Sequence, residues 1–580
     1  MSTTRTARPA GVSPQDLLAE IAVDPMGQVT ASVYETARLV ASAPWLSGHR
    51  RRIEFLTRRQ NPDGTWGGPG PYVLVPTLSA VEALLTVVSA ARPGERGASG
   101  PGDVTGAVHR GLHALFARLD PQSRAVLPDT IGAEFLIPWL VGEINRHLDA
   151  LERRPVPGLA AWHGSGRLHT PDGWDPAPLD RLRHAAGQGH ALPPKVWHSL
   201  EALGGTAVQA PQVRPVGGAV GCSPAATAAW LGPGDGDGAG TERRRAIEYL
   251  HTVQARHDGP VPGVTPIGVF ERAWVLSALA EAFPGTAPPR ELGHSLHAAF
   301  GDLGVPAGAG LPPDSDDTAG ALHALTLIGR PRSPECLWAY EADTHFRCFA
   351  AERTPSTSTN AHILMAFGDH EAGAADRARY RRAIGKISHW LHGQQRPDGS
   401  WIDKWHASPY YATVCSVSAL ARHGDASSAA ALRAAAEWVL GTQRHDGSWG
   451  LWSGTSEETA YAMQTLLRAP ARDDGAVRRA VLRGDAFLAG QHGADRRDHD
   501  GRDDHDGSGG RHGHDRHGEH GGPGGPNGHD GPDGPGHRGD ARRYPPLWHD
   551  KDLYAPVAVI RAETLAARTL ARTRILERQR

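Results

Sequence analysis

The chain has 580 residues, with 61 Lys and Arg against 63 Asp and Glu for a formal charge of -2. That balance excludes the broad basic field of a nucleic-acid binder, and the length exceeds what one hydrophobic core usually supports, which predicts two domains. Cys222, Cys336, Cys348 and Cys415 lie far apart with no C-x-x-C pair, so neither a disulfide framework nor a zinc site is predicted, and reduced thiols fit a cytoplasmic protein.

The first residues, MSTTRTARPAGVSPQ, lack the apolar centre of a secretory signal. The apolar stretch 72–91 carries Pro76 and Glu82, which predicts a buried helix of a large helical domain and no stable membrane insertion. Apolar residues recur at helical spacing over 80–91, 273–282, 318–328, 378–391, 429–440 and 457–467, strand-like alternation is scarce, and the connections are rich in Gly and Pro. The fold class is therefore all-α. One punctuation repeats: QNPDGTW at 60–66, QRPDGSW at 395–401 and QRHDGSW at 443–449, with a partial copy, QARHDG, from Gln254. Each follows a helical stretch, so Asp-Gly forms a turn that Gln and Trp tie to neighbouring helix ends. Stacked helix pairs of this kind predict an α/α-barrel. From 495 to 543 the composition shifts to Gly, Asp, His, Arg and Pro, which cannot bury a core and predicts a disordered insertion. Its histidines are irregularly spaced, and no metal site is assigned to them. Ordered sequence resumes at PPLWHDKDLYAP.

The sharpest chemical signal is LPPDSDDTAGALHAL, where Asp314, Asp316 and Asp317 crowd the start of a predicted helix. Read alone, it serves equally as an N-cap and as an acid cluster. Together with the repeated Q-x-x-D-G-x-W turns, however, this D-x-D-D element resembles the class II terpene cyclases, the superfamily of squalene-hopene cyclase and the copalyl diphosphate synthases. SVYETARLV, VPTLSAVEALL, IGAEFLIPWL, WHSLEAL, GCSPAATAAWL, PIGVFERAW, ERTPSTSTNAH, DKWHASPYYAT, GTSEETAYAMQTL and LWHDKDLYAP follow in the family's order, most like bacterial diterpene cyclases. The resemblance spans the chain apart from its first twenty or so residues and the His-rich segment.

The resemblance implies a double α/α-barrel in βγ architecture, with a γ unit at 29–284 inserted into a β unit formed by 1–28 and 285–580. It implies that Asp316 donates a proton to an alkene, tuned and reloaded by Asp314 and Asp317 and oriented by His362. Such an acid must be held protonated in an apolar cavity, where crowded carboxyls help by raising one another's pKa. Trp401, Trp405, Tyr410 and Tyr411 are candidate aromatic walls for the carbocation. Arg181 and Arg183 lie near the family's diphosphate-binding lysine. Mg²⁺ is implied by the family more than by these residues, since the acidic motif of plant relatives is reduced to LDPQSRAVLPD; the metal ligands are not identified. His198 matches one member of the His/Asn pair that holds the terminating water in plant enzymes, while the Asn position falls on Gly263.

The expected reaction is cyclisation of geranylgeranyl diphosphate to a bicyclic labdane, halimane or clerodane-type diphosphate, with the diphosphate retained for a downstream class I synthase or phosphatase. Farnesyl diphosphate as substrate, a triterpene cyclase and a non-catalytic helical binding protein are the alternatives, and a monomer or homodimer is expected. An ionising class I synthase would need a D-D-x-x-D motif, and a protein prenyltransferase would need a zinc site; the sequence provides neither.

Overall fold

Helix ends are set by capping residues that the sequence places just ahead of apolar runs. Ser32, Ser223, Asp314, Ser356, Ser408 and Thr455 each accept a backbone N–H two or three residues on, satisfying donors that a helix start leaves open. The structure, a computed structural model, describes residues 13–90, 103–123, 126–171, 174–208, 210–234, 240–350, 352, 354–371, 373–470, 473–500 and 544–576. The expected insertion at 495–543 therefore lies, from 501 onward, outside the described residues.

In chain order the helices are α1 (Pro14–Val23), α2 (Val33–Ser42), α3 (His49–Arg58), α4 (Leu74–Ala90), α5 (Val104–Arg118), α6 (Ala133–Arg153), α7 (Ala177–Gly187), α8 (Pro224–Leu231), α9 (Thr241–Ala255), α10 (Gly268–Ala282), α11 (Arg290–Ala298), α12 (Ser315–Leu327), α13 (Thr357–Gly368), α14 (Arg377–Gln394), α15 (Pro409–His423), α16 (Ser428–Gly441), α17 (Ser456–Arg468), α18 (Asp474–Asp500) and α19 (Val557–Ala571). A 3₁₀ segment, Pro194–Ala207, stands in for a helix after α7. One short antiparallel hairpin, β1 (Trp548–His549) with β2 (Leu553–Tyr554), precedes α19.

Packing is that of two closed rings. In the first, α2, α4, α6, the 3₁₀ segment and α8 neighbour one another around a core running from Tyr34 to Val261. In the second, α10, α12, α13, α15, α17 and α19 close a ring, with α14, α16 and α18 outside it. Its core also takes Leu17, Leu18 and Ile21 of α1, which packs on α10 and α19. The all-α double-barrel expectation holds, but the residues divide differently from the predicted 29–284 unit. Helix α10 buries Phe270, Ala273, Trp274, Val275 and Leu276 against α12 and α19. It is a stave of the second barrel, which could not close without it, and the first core ends near residue 261. The long apolar stretch Gly70–Ala90 is long enough to cross a membrane, yet most of it is buried, in the first core.

The repeated turns are structurally superimposable in their bonding. Trp66, Trp401 and Trp449 each donate Nε1–H to a carbonyl ten residues earlier, on Leu56, Leu391 and Val439, at 2.7 Å. Gln60, Gln395 and Gln443 each bridge the turn glycine's carbonyl to a carbonyl of a later helix, Ala107, Ala431 or Ala480, at 2.9–3.0 Å. At Gly399, φ is +95° and a Cβ would lie 2.4 Å from the Ala434 carbonyl oxygen, so only glycine fits. The partial copy has diverged: Gln254 instead accepts from Arg52 and donates to Ser47.

Candidate active site

A cavity of about 300 Å³ lies between the two cores. The first contributes Phe135, Val196 and His198, and the second contributes Phe270, Phe349, Trp405, Trp548, Tyr554 and the three aspartates. Asp314, Asp316 and Asp317 sit at the start of α12. Asp314 caps the helix, its Oδ1 accepting the Asp317 N–H at 2.8 Å. The cap and the acid cluster are thus one structure, not competing explanations. Burial first, and Asp316 beside it, push the Asp314 carboxyl up to about 7, and burial with Asp314 nearby drives Asp317 far above the carboxylate range. Asp317 Oδ1 meets no hydrogen-bond partner among the described residues.

The structure brings His362 to Asp316: Nδ1 lies 2.7 Å from Oδ1. Burial disfavours a charged imidazole there, but the Asp316 carboxylate prevails and raises His362 to about 10. An imidazolium at this position stabilises a carboxylate on Asp316. His362 is held by the start of α13, where Asp403 accepts the Thr357 and Ser358 N–H groups at 2.7 and 3.2 Å. Edge-on contact with Trp274, 5.2 Å between ring centres, fixes its other side. Behind it a second pocket of about 110 Å³ is lined by Glu281, His323, Tyr411 and Glu563, among others.

The expected aromatic wall is corrected in part. Trp405 lines the cavity, with its Nε1–H unpaired among the described residues. Trp401 does not, because its indole is the clamp of a repeated turn. Tyr410 packs on Trp438 instead. Tyr411 stands one layer back, against Trp548 at 4.6 Å and beside His362. The walls that sequence reading missed include Phe135, Phe270, Phe349, Trp548 and Tyr554. Arg181 is exposed on α7, and Arg183 donates to the Ala202 carbonyl at 2.8 and 3.2 Å; neither reaches the cavity. Lys195, three positions before His198, does line the cavity.

His198 is buried, with Nδ1 2.6 Å from the Gly221 carbonyl oxygen and Nε2 2.7 Å from Asp550 Oδ1. Both ring nitrogens face acceptors, the arrangement of an imidazolium. Burial opposes that charge, but Asp550 raises the pKa of His198, and in turn His198 outweighs burial and lowers Asp550. Next to it Lys551 is fully buried, Nζ donating to Glu35, Glu201 and Ser223 at 2.6, 2.8 and 2.8 Å. Its charge persists because the two carboxylates outweigh the burial that opposes it. Among the described residues no group of three or more His, Cys, Asp or Glu side chains is arranged to hold a metal ion. The donors present do not form a magnesium cage.

An acid cluster backed by an imidazolium, set in an aromatic cavity between two helical barrels, defines a terpene cyclase of the class that starts its reaction by protonation. A match to the squalene-hopene cyclase C-terminal domain covers residues 350–481. Over nearly its whole length the chain is similar to an ent-copalyl diphosphate synthase of Streptomyces sp. (strain KO-3988), at 47% identity over 97% of this chain and 96% of that one. It is similar also to terpentedienyl-diphosphate synthase of Kitasatospora griseola, at 33% identity over 95% and 98%. The solved ent-copalyl diphosphate synthase from Streptomyces platensis matches with a TM-score of 0.81 and 45% identity, covering 96% of this chain and 98% of that one. The chain belongs to the class II diterpene cyclases.

Proposed function

We propose that this enzyme cyclises geranylgeranyl diphosphate to a bicyclic labdane-type diphosphate, with Asp316 as the proton donor. The observation that carries the reading is the 2.7 Å contact between His362 and Asp316 on the wall of an aromatic cavity. His362 engages Oδ1, which leaves Oδ2 of Asp316 to deliver its proton to the terminal alkene. The alkene's π electrons form the new C–H bond, and the cation that results is passed through ring closure under the faces of Trp405, Trp548 and Phe349. Asp314 and Asp317, whose burial favours their neutral forms, return a proton to Asp316 for the next turnover. Lys195 is assigned the diphosphate in place of Arg181 and Arg183, since it borders the cavity. Magnesium, for which the described residues offer no cage, is proposed to arrive as counter-ion of the diphosphate. The enzyme is taken to act in the cytoplasm, and its product, still a diphosphate, suits a class I synthase or a phosphatase as the next enzyme.

The test is incubation of the purified protein and Mg²⁺ with C15 and C20 prenyl diphosphates and with squalene, followed by phosphatase treatment and mass spectrometry. The C20 substrate should yield a bicyclic alcohol only after phosphatase, and no inorganic pyrophosphate should be released. Asp316→Asn should consume nothing. Pyrophosphate release, preference for another chain length, or full turnover by Asp316→Asn refutes the reading.

A further inference from the structure

The geometry points to Asp550 as the base that ends the reaction, an inference that rests on the cyclase reading of the same cavity. Asp550 sits in the β1–β2 turn, is 1% exposed and lines the cavity. Its Oδ1 is taken by His198, but Oδ2 meets no hydrogen-bond partner among the described residues. A buried carboxylate oxygen left without a donor is costly, and such groups persist where the fold or the chemistry requires them. Three features show that this one is built in place. The turn, which the second core supplies, is held by the first unit, through Ile131 N–H to the Asp550 carbonyl at 3.0 Å, Lys551 to Glu35 and Glu201, and Asp552 to Ser32 and Tyr34 at 2.7 and 3.0 Å. The His198 imidazolium and the Lys551 ammonium flank Asp550 and keep it anionic. Finally, Oδ2 lies 3.2 Å from where a Cβ on Gly263 would stand. The absence of a side chain at 263 leaves the space that Asp550 faces, so any larger residue there would meet this oxygen.

The two carboxyl sites of the cavity are thus set in opposite states. Asp314 and Asp317, which burial favours in their neutral forms, are arranged to hold the protons that reload Asp316, and Asp550, paired with His198 and flanked by Lys551, is arranged to lack one; environments that divide acid from base in this way assign the two roles. In the closing step a C–H bond next to the carbocation breaks, its electron pair becomes the new C=C bond, and the proton passes to Asp550 Oδ2. That proton is lost to solvent before the next turnover, matching the one that reloads Asp316, so the cycle is balanced.

The test compares parent, Asp550→Asn and Gly263→Ser enzymes with geranylgeranyl diphosphate and Mg²⁺, measuring substrate consumed and the product mixture after phosphatase. Asp550→Asn should still consume substrate, while formation of the parent olefin falls by roughly 100-fold and isomeric olefins or a hydroxylated product take its place. Gly263→Ser, which keeps the His198–Asp550 pair and offers Oδ2 a hydroxyl donor, should shift the mixture in the same direction; it carries the test if Asp550→Asn fails to fold. An unchanged product mixture in folded variants, or complete loss of consumption in a folded Asp550→Asn, overturns the assignment and leaves the cyclase reading standing. Failure of the parent to consume the C20 substrate overturns both.

Discussion

Asp314 stands where helix capping and acid chemistry meet, and Asp314→Asn separates them. An Asn oxygen can accept the Asp317 N–H that Asp314 accepts now at 2.8 Å, and Asn ranks with Asp as a cap, so the helix start is preserved. What disappears is a carboxyl that burial and Asp316 push from the ordinary 3.8 to about 7. The folded state holds that proton more tightly than the unfolded chain does. Stability is therefore fully present below pH 3.8, falls as pH rises from there to about 7, and stays reduced above. The interval corresponds to about 4 kcal/mol, an upper figure because Asp314 shares its titration with Asp317; roughly 3 kcal/mol of it falls between pH 5 and 8. Asp314→Asn should then melt several degrees above the parent near pH 8, with the gap closing toward pH 5, and should turn over more slowly despite the gain. Thermal unfolding followed by circular dichroism at both pH values measures this. A variant less stable than the parent by the same margin at both pH values would show that the carboxyl does no more than cap α12.

Two further outcomes test the frame around the site. Lys551→Met leaves the Glu35 and Glu201 carboxylates buried without their cation and should cost about 3–5 kcal/mol, read from the urea midpoint, with partial recovery when Glu35→Gln is added; a cost under about 1 kcal/mol would contradict the account of the turn. Trp401→Phe removes the 2.7 Å bond to Leu391 and should lower stability by about 1–2 kcal/mol with the product mixture unchanged, whereas Trp405→Ala, at the cavity wall, should alter the mixture. Mass spectrometry and melting curves on both variants decide the matter, and the reverse pattern would reject the placement of the two indoles.

What the sequence made legible was local or repeated. The turns announced themselves three times over, the aspartates crowded one helix start, and the STNAH motif led to His362 through a family pattern. Trp401 was misplaced because its motif looks alike whether the indole faces a cavity or clamps a turn; the hydrogen bond to Leu391, ten residues back, is decided by the path of the chain. Helix α10 falls within the predicted 29–284 unit because that boundary follows the family's architecture and rests on no signal in the residues themselves. Its assignment rests on α12 and α19, the latter nearly 300 residues away. Asp550 pairs with His198 across 352 positions, and no periodicity carries information over that span. The one available signal was D-K-D set between aromatic residues, an unusual charge density for sequence that otherwise reads as buried.

Helix α1 has a consequence for how the protein is made. Leu17, Leu18 and Ile21 have their buried places against α10 and α19, and α19, at Val557–Ala571, is synthesised long after α1. The first barrel, complete by about residue 261, can form while the ribosome is still at work, as domains generally do in order of emergence. The second cannot close until its final stave appears. Throughout that interval α1 lacks one of the two helices that cover its apolar face, and the first barrel lacks the Lys551 cation that its buried Glu35 and Glu201 meet in the finished protein.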